Sequence, residues 1–398
     1  MILTINLGSA SKKYALYDAD RKLLTAHFER GEDGGHIATF EYGTTEEHYP
    51  VGDTDYSDSL SHVLNFVTSN GALSEKIPKT VPDYIGIRVV APGLYFTANR
   101  FINKNYLERL EEANVITPVH IFPVLEEIEK IKFHLPETDL IGISDSAFHS
   151  GMPEVARRYA LPNQMAEKYG IYRYGYHGLS VASAMGKLKN MPGGITPKTI
   201  VCHLGSGASV TALFKGESID TSMGFTPLEG VPMGSRSGSI DAGAVYYLGK
   251  MLKLPPEKVS LLLNEESGLL GISGETSDIR ELLALESEGE MDAKLALDIF
   301  TYKIRQHIGA YIASLGGLDT LVFTGTVGER SSVIRARVCE GLEEMGIHLD
   351  LRENDSYNGN KDGSIQTIGS LVSVIVLVSD EMGEMARLTH QFIESSEA

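Results

Sequence analysis

One short device occurs twice in this chain of 398 residues, half a chain apart, and it limits what the fold can be. The first copy reads Asn6-Leu7-Gly8-Ser9-Ala10-Ser11, the second His203-Leu204-Gly205-Ser206-Gly207-Ala208-Ser209. Each ends an apolar, β-prone run (2–6 and 199–203) and is followed by a returning strand (14–17 and 210–214). A second turn closes each unit, Asp18-Ala19-Asp20 in one and Lys215-Gly216 in the other. A supersecondary unit repeated at this distance is the trace of a duplicated, two-domain architecture, and the length exceeds what one ordinary core holds.

Helix periodicity lies between and after the hairpins. Leu60, Val63, Leu64 and Val67 recur at i, i+3, i+4, i+7, with Gly71 beyond the expected end. Pro123 is expected to open a helix carrying Val124, Ile128 and Ile131. Leu140 to Ile143 form a short apolar run that delivers Ser144-Asp145 at its carboxyl end. A long helix is expected from Leu295 to Leu315, ahead of Gly316-Gly317, and then a strand over 321–323. Ile334, Val338 and Leu342 mark one more helix. Hairpins mixed with strand-to-helix units make an α/β protein with both sheet types.

Three Gly/Ser/Thr-rich turns each follow a predicted strand: 8–11, 205–209 and 325–328. Glycine removes the Cβ that would keep an anion from backbone N–H groups, so such turns suit phosphate. Lys13 follows the first and Arg330 the last. No Gly-x-x-x-x-Gly-Lys-Ser/Thr sequence is present, which excludes a P-loop enzyme. Asp145 reads either as a helix cap or as a carboxylate facing a metal or a transferred group. His177 in Tyr174-Gly175-Tyr176-His177-Gly178 has glycines that would let a substrate approach, but a lone histidine reads first as a satisfied core or surface residue; Arg236 in Gly234-Ser235-Arg236-Ser237-Gly238 stands in a similar frame, an unusual place for a merely solvated arginine.

A formal charge of -18 argues against nucleic acid or an anionic membrane as the main partner. Cys202 and Cys339 make no disulfide framework and read as small buried hydrophobes, which fits a reducing compartment. The N-terminus lacks the pattern of a signal peptide, and the most apolar stretch, 371–378, is too short to span a bilayer. The expected location is the cytoplasm.

Several blocks closely resemble acetate kinases: Met223-Gly224-Phe225-Thr226-Pro227-Leu228-Glu229-Gly230, continuing to 233–238; Asp145-Ser146-Ala147-Phe148-His149; 174–178; His203-Leu204-Gly205; and Ser267-Gly268-Leu269-Leu270-Gly271. Asn6-x-Gly8-Ser9-x-Ser11-x-Lys13 fits as well. The resemblance implies two duplicated actin/Hsp70/sugar-kinase-like domains, mixed sheets flanked by helices around a central cleft. The first would span 1–147, joined by the segment 383–398; the second, nucleotide-binding, would span 148–382. It also implies a homodimer, Mg²⁺ (or Mn²⁺) as cofactor, and reversible phosphoryl transfer between ATP or ADP and acetate or acetyl phosphate.

Carried onto matching positions, the resemblance gives Arg88, Asp145, His177 and Arg236 catalytic roles. Arg88, Val90, Val119, Tyr176 and Pro227 would hold the acyl acid. Asn6 and Glu381 would position the metal together with Asp145. Phosphate and nucleotide would meet Ser9, Ser11, Lys13, His120, His203, Gly205, Ser206, Gly207, Asp278, Ile279, Arg280, Gly325, Thr326, Val327, Gly328 and Arg330.

The chain departs from the family pattern at several points. Ser206, Thr326 and Arg330 replace asparagine, glycine and asparagine; Tyr176 replaces phenylalanine; Ala91-Pro92-Gly93 stands for His-Gly-Gly, and Ile121-Phe122-Pro123-Val124 for Asn-Pro-Pro-Asn. These departures keep alternatives open: propionate or butyrate as acceptor, pyrophosphate or another nucleotide as phosphoryl partner, and, more distantly, a non-catalytic nucleotide-binding protein.

Overall fold

The computed structural model describes residues 1–8, 11–31, 34–74, 77 and 81–397. Ser9 lies outside the described residues. The chain packs as two compact units, one formed by 1–147 with 380–398 and the other by 148–379.

Unit one is built on a sheet that, among the described residues, has eight strands: β1 (Ile2–Leu7), β2 (Ser11–Asp18), β3 (Arg21–Arg30), β4 (His36–Tyr42), β5 (Thr45–Val51), β6 (Tyr84–Val89), β7 (Arg100–Phe101) and β8 (Asp139–Ser144), in the order β5-β4-β3-β2-β1-β6-β8-β7. β1 pairs antiparallel with β2 and parallel with β6, which in turn runs parallel to β8. Residues 2–6 are buried on both faces, as a central strand covered by helices must be. The helix Ser59–Ser69 buries Leu60, Val63 and Val67, and Glu381–Glu397 buries Met382, Met385, Ala386 and Ile393.

Unit two repeats the plan. β9 (Lys198–Leu204), β10 (Ala208–Phe214), β11 (Glu217–Thr221), β12 (Thr320–Thr324), β13 (Gly363–Ser364) and β14 (Ser373–Val376) are ordered β11-β10-β9-β12-β14-β13. The hairpin strands are antiparallel, and β9, β12 and β14 are mutually parallel. The order matches β3-β2-β1-β6-β8-β7 strand for strand, so the repeated motif does mark a repeated topology. The fold is α/β, with two mixed sheets flanked by helices.

Three local expectations change. Pro118, not Pro123, takes the first turn of the helix Pro118–His134, and Pro123 lies inside it. A proline this close to a helix start removes a single ladder bond, which the rest of the helix tolerates. Residues 325–328 are not an open turn but the start of the short helix Gly325–Arg330. The long helix begins at Met291 and ends at Leu315 on Gly316 in the left-handed conformation. Among the described residues no helix is long and apolar enough to cross a membrane.

Candidate active site

In unit one the predicted residues gather at the carboxyl ends of three parallel strands, where side chains leave the sheet instead of packing beneath it. Asn6 is the penultimate residue of β1, Arg88 of β6, and Asp145 follows β8. Arg88 grips Asp145 with a two-pronged bond, Nε to Oδ1 at 3.2 Å and Nη2 to Oδ2 at 2.9 Å. Its Nη1 donates to Asn6 Oδ1 at 3.2 Å and lies 3.6 Å from Glu381 Oε2. Asn6 Nδ2 closes the ring by donating to Glu381 Oε2 at 3.0 Å. Burial opposes the Arg88 charge, but the fields of Asp145 and Glu381 overcome it and hold the group above its ordinary value. Lys13 stands directly across from Asn6 in the β1–β2 register and is exposed, while Ser11 accepts the Gly8 N–H through its carbonyl.

Two carboxylates and an amide oxygen on one centre are hard donors. They suit a small divalent cation that completes its shell with water and phosphate oxygens. Among the described residues no His/Cys/Asp/Glu trio is spaced to hold a metal unaided. Such a cation is usually held by one or two carboxylates plus substrate, so the donor set fits it. Val90 follows β6; Val119, exposed, and His120, half-buried, stand in the first turn of Pro118–His134.

Unit two supplies a second group. His177 caps the helix Gly178–Asn190 in the left-handed conformation, φ 60°, which costs a non-glycine residue about 1–2 kcal/mol. The cap aims its imidazole at the hairpin. Nδ1 meets Ser209 Oγ at 3.0 Å, and the ring lies 4.4 Å from the His203 ring, centroid to centroid. His203 Nδ1 in turn meets Ser180 Oγ at 2.6 Å. A Cβ on Gly207 would stand 3.0 Å from His177 Nε2 and 3.9 Å from Arg236 Nη1, so both side-chain ends lie beside this glycine. A Cβ on Gly205 would stand 3.8 Å from His203 Nε2 and 4.0 Å from the Thr326 N. The 205–207 turn, His177, His203, Arg236 and the start of Gly325–Arg330 therefore form one neighbourhood. When the Ser209 hydroxyl is the donor in its bond to Nδ1, His177 carries its proton on Nε2, the nitrogen beside Gly207.

Arg236 is held from behind. Its Nη1 donates to Pro227 O at 3.3 Å, and its loop is braced by the Ser267-Gly268-Leu269-Leu270 block. Ser267, Leu269 and Leu270 N–H groups donate to Ser235, Met233 and Gly234 carbonyls, each at 2.9 Å. Ser206 O accepts the Gly234 N–H at 3.1 Å, tying that loop to the glycine turn. Tyr176 is buried, and the hydroxyl that distinguishes it from phenylalanine donates to Phe225 O at 2.7 Å. His149 supports the same segment, with Nε2 3.1 Å from Tyr176 O and Nδ1 2.8 Å from Ser218 Oγ.

Asp278 caps the helix Ile279–Glu288 and binds the exposed Arg280, whose hydrogen bond lowers the carboxyl's pKa, while Ile279 is buried in the core. Thr326 and Arg330 are exposed, Val327 half-buried and Gly328 buried. Gly325 N–H is taken by the buried Glu329 carboxylate at 2.9 Å. Sequence reasoning missed Ser180 and Ser209. Their signal was present: Ser180 is one helical turn past His177, and Ser209 is the hairpin partner of His203.

The acetokinase family profile matches residues 1–387. An acetate kinase of Bacillus cytotoxicus is 37% identical over 393 residues, 97% of either chain. The crystal structure of Porphyromonas gingivalis acetate kinase superposes with a TM-score of 0.85 at 32% identity, covering 98% of this chain and 99% of the other. A propionate kinase structure from Francisella tularensis does so with 0.86, also at 32% identity, covering 97% and 98%. With its whole length matched in sequence and in fold, the chain belongs to the acetokinase family.

Proposed function

We propose that this protein catalyses ATP + acetate ⇌ ADP + acetyl phosphate, a phosphotransferase reaction with a carboxylate as acceptor. The observation that carries the reading is the pairing of His177 Nε2 and Arg236 Nη1 across Gly207, beside the His203 ring. It would make an anion site of a guanidinium, two imidazoles and a turn with glycine on either side of Ser206. Phosphoryl transfer asks a protein mainly for position and charge stabilisation. A carboxylate oxygen attacks the terminal phosphorus, the new O–P bond forms as the bond to the ADP oxygen breaks, and negative charge spreads over the equatorial oxygens. Arg236, fixed by Pro227 and the 267–270 block, holds those oxygens with permanent charge. His177 donates a proton-bearing Nε2 to them. Tyr176, Pro227, Val90 and Val119 take the methyl group, and Arg88 holds the acyl carboxylate while Asp145 orients its guanidinium. Asn6, Asp145 and Glu381 would hold Mg²⁺, which neutralises phosphate charge when bound.

The nucleotide phosphates fall to Ser9, Ser11, Lys13, His120, His203 and the turn of Gly205, Ser206 and Gly207. The nucleoside falls to Asp278, Ile279, Arg280 and Gly325, Thr326, Val327, Gly328 and Arg330. We further read the two units as domains, the protein as a cytoplasmic homodimer, and neither nucleic acid nor membrane as a partner. A second reading, propionate as acceptor, draws on the Francisella neighbour.

The test is a hydroxamate assay with Mg²⁺, run with ATP or GTP and with acetate or propionate. Acetyl hydroxamate formed with ATP is the expected result. No acyl hydroxamate with either nucleotide, and no pyrophosphate from acetyl phosphate plus orthophosphate, would overturn the proposal.

A further inference from the structure

The loop 222–230 that carries Pro227 is fastened from residues outside every role assigned above. Tyr159, half-buried, accepts the Phe225 N–H on its hydroxyl oxygen at 2.9 Å and donates its own proton to the Glu229 carboxylate. Burial, then the charge of Glu229, pushes the Tyr159 pKa up, so it remains a donor through the physiological range. The other Glu229 oxygen takes Arg173 Nη1 at 2.9 Å, and Arg173 Nη2 donates to Thr221 O at 2.6 Å. The loop curls so tightly around its own glutamate that a Cβ on Gly224 would overlap the Glu229 carboxylate and the Tyr159 hydroxyl. The Phe225 carbonyl, at the other side of the same residue, is the one taken by Tyr176 Oη at 2.7 Å.

We propose that Tyr159 and Tyr176 clamp Phe225 from both of its backbone polar groups, and that this clamp sets how large an acyl chain the Tyr176–Pro227 pocket accepts. In the proposed reading Tyr176 and Pro227 are two walls of the acyl pocket, and Pro227 lies two residues after the clamped Phe225, so a shift of Phe225 would move one relative to the other. The same loop offers Pro227 O to Arg236 Nη1, so a loosened clamp also relaxes the position of the transferring arginine. Tyr159 acts through Phe225 and Glu229 and is a positioning residue. The inference rests on the proposed acyl-kinase reading.

The discriminating measurement is the ratio of kcat/KM for propionate to that for acetate, taken alongside KM for ATP and the thermal midpoint. Tyr176→Phe removes one oxygen and one hydrogen bond while keeping the ring. Tyr159→Phe removes the acceptor of the Phe225 N–H. Each is expected to raise the propionate-to-acetate ratio about 5-fold, just below the low end of what one methylene governs in an apolar pocket. KM for ATP should stay within about 2-fold in each. The double variant should fall short of the product of the singles, because both act on one residue. An unchanged ratio in Tyr176→Phe overturns the clamp whether or not Tyr159→Phe folds, and a loss of stability alone would be that outcome. A wild-type protein that phosphorylates neither acid would instead remove the acyl-kinase reading, so the two failures are distinguishable.

Discussion

Gly207 carries no functional group, yet the geometry of the site depends on what it lacks. Its missing side chain leaves His177 Nε2 and Arg236 Nη1 facing the turn, and a methyl group there would sit 3.0 Å from the imidazole nitrogen. The imidazole cannot retreat freely, because Ser209 holds Nδ1 and the left-handed cap fixes the backbone. Gly207→Ala is therefore expected to displace the ring by a few tenths of an ångström. Turnover should fall about 10–100-fold with the fold intact, since misplacement of this order is costly in oriented chemistry. Steady-state kcat and a thermal melt of the same sample test it; full activity would mean the ring has room the geometry denies. Arg236→Ala should be more severe, about 10³-fold in kcat, because in the proposed mechanism it removes the permanent charge that holds the transferring phosphoryl group. Near-normal turnover of a folded Arg236→Ala protein would end that role.

At the scale of elements, most of what the sequence disclosed came from short-range grammar. The hairpins, the helix of Leu60, Val63 and Val67, and the strand that delivers Asp145 are local patterns, and they formed where the patterns lay. The misread elements depend on distant partners. Residues 325–328 look like a loop by glycine count, but Glu329 Oε1 accepts the N–H groups of Gly325 and of Ser379, and so fixes a helix. The helix Ala242–Leu252 was not read at all: Gly243 and Gly249 interrupt its pattern, and glycine inside a helix argues against one. In the site, residue types were legible, whereas the φ of His177 and the grip of Arg88 on Asp145 were not. The long helix Met291–Leu315 adds a pH dependence of its own. His307 is pushed down to about 4 by burial, then by Arg173 and Lys303. An unfolded histidine titrates near 6.5, so below that pH the unfolded chain binds the extra proton and the folded chain does not. The stability it contributes is complete above pH 6.5 and is lost as pH falls from 6.5 to about 4. His307→Gln should flatten that limb, shrinking the difference between urea midpoints at pH 7 and pH 5. An unaltered difference would show that His307 is not the group responsible.

For the molecule as a whole, duplication places two different groups of the proposed site residues at equivalent ends of two like sheets. Equivalent strands β1 and β9 place Asn6 and His203 at the same point of the same hairpin. Around it, one copy has gathered Arg88, Asp145 and Glu381, and the other His177 and Arg236. A chain with a formal charge of -18 would repel a second copy except through a face that carries little charge. The helix Ala242–Leu252 is such a face. It buries no residue, Lys250 is its one charged residue, and it leaves Tyr246, Tyr247, Met251 and Leu252 more than half exposed. Met291, Leu295 and Tyr302 add exposed apolar surface on the long helix. Exposed apolar surface of this kind suits the proposed homodimer, because self-association would bury it without bringing like charges together. Tyr246→Glu with Met251→Glu would place two carboxylates per subunit at that contact. The expected result is a sedimentation coefficient of a dimer for the natural protein near 10 µM. The double variant should be a monomer, with dissociation tightness reduced by at least ~100-fold. Far-ultraviolet circular dichroism would confirm that the variant is folded, because these side chains are already outside both cores. A natural protein that sediments as a monomer would refute the homodimer, and a variant that stays dimeric would move the contact to another face.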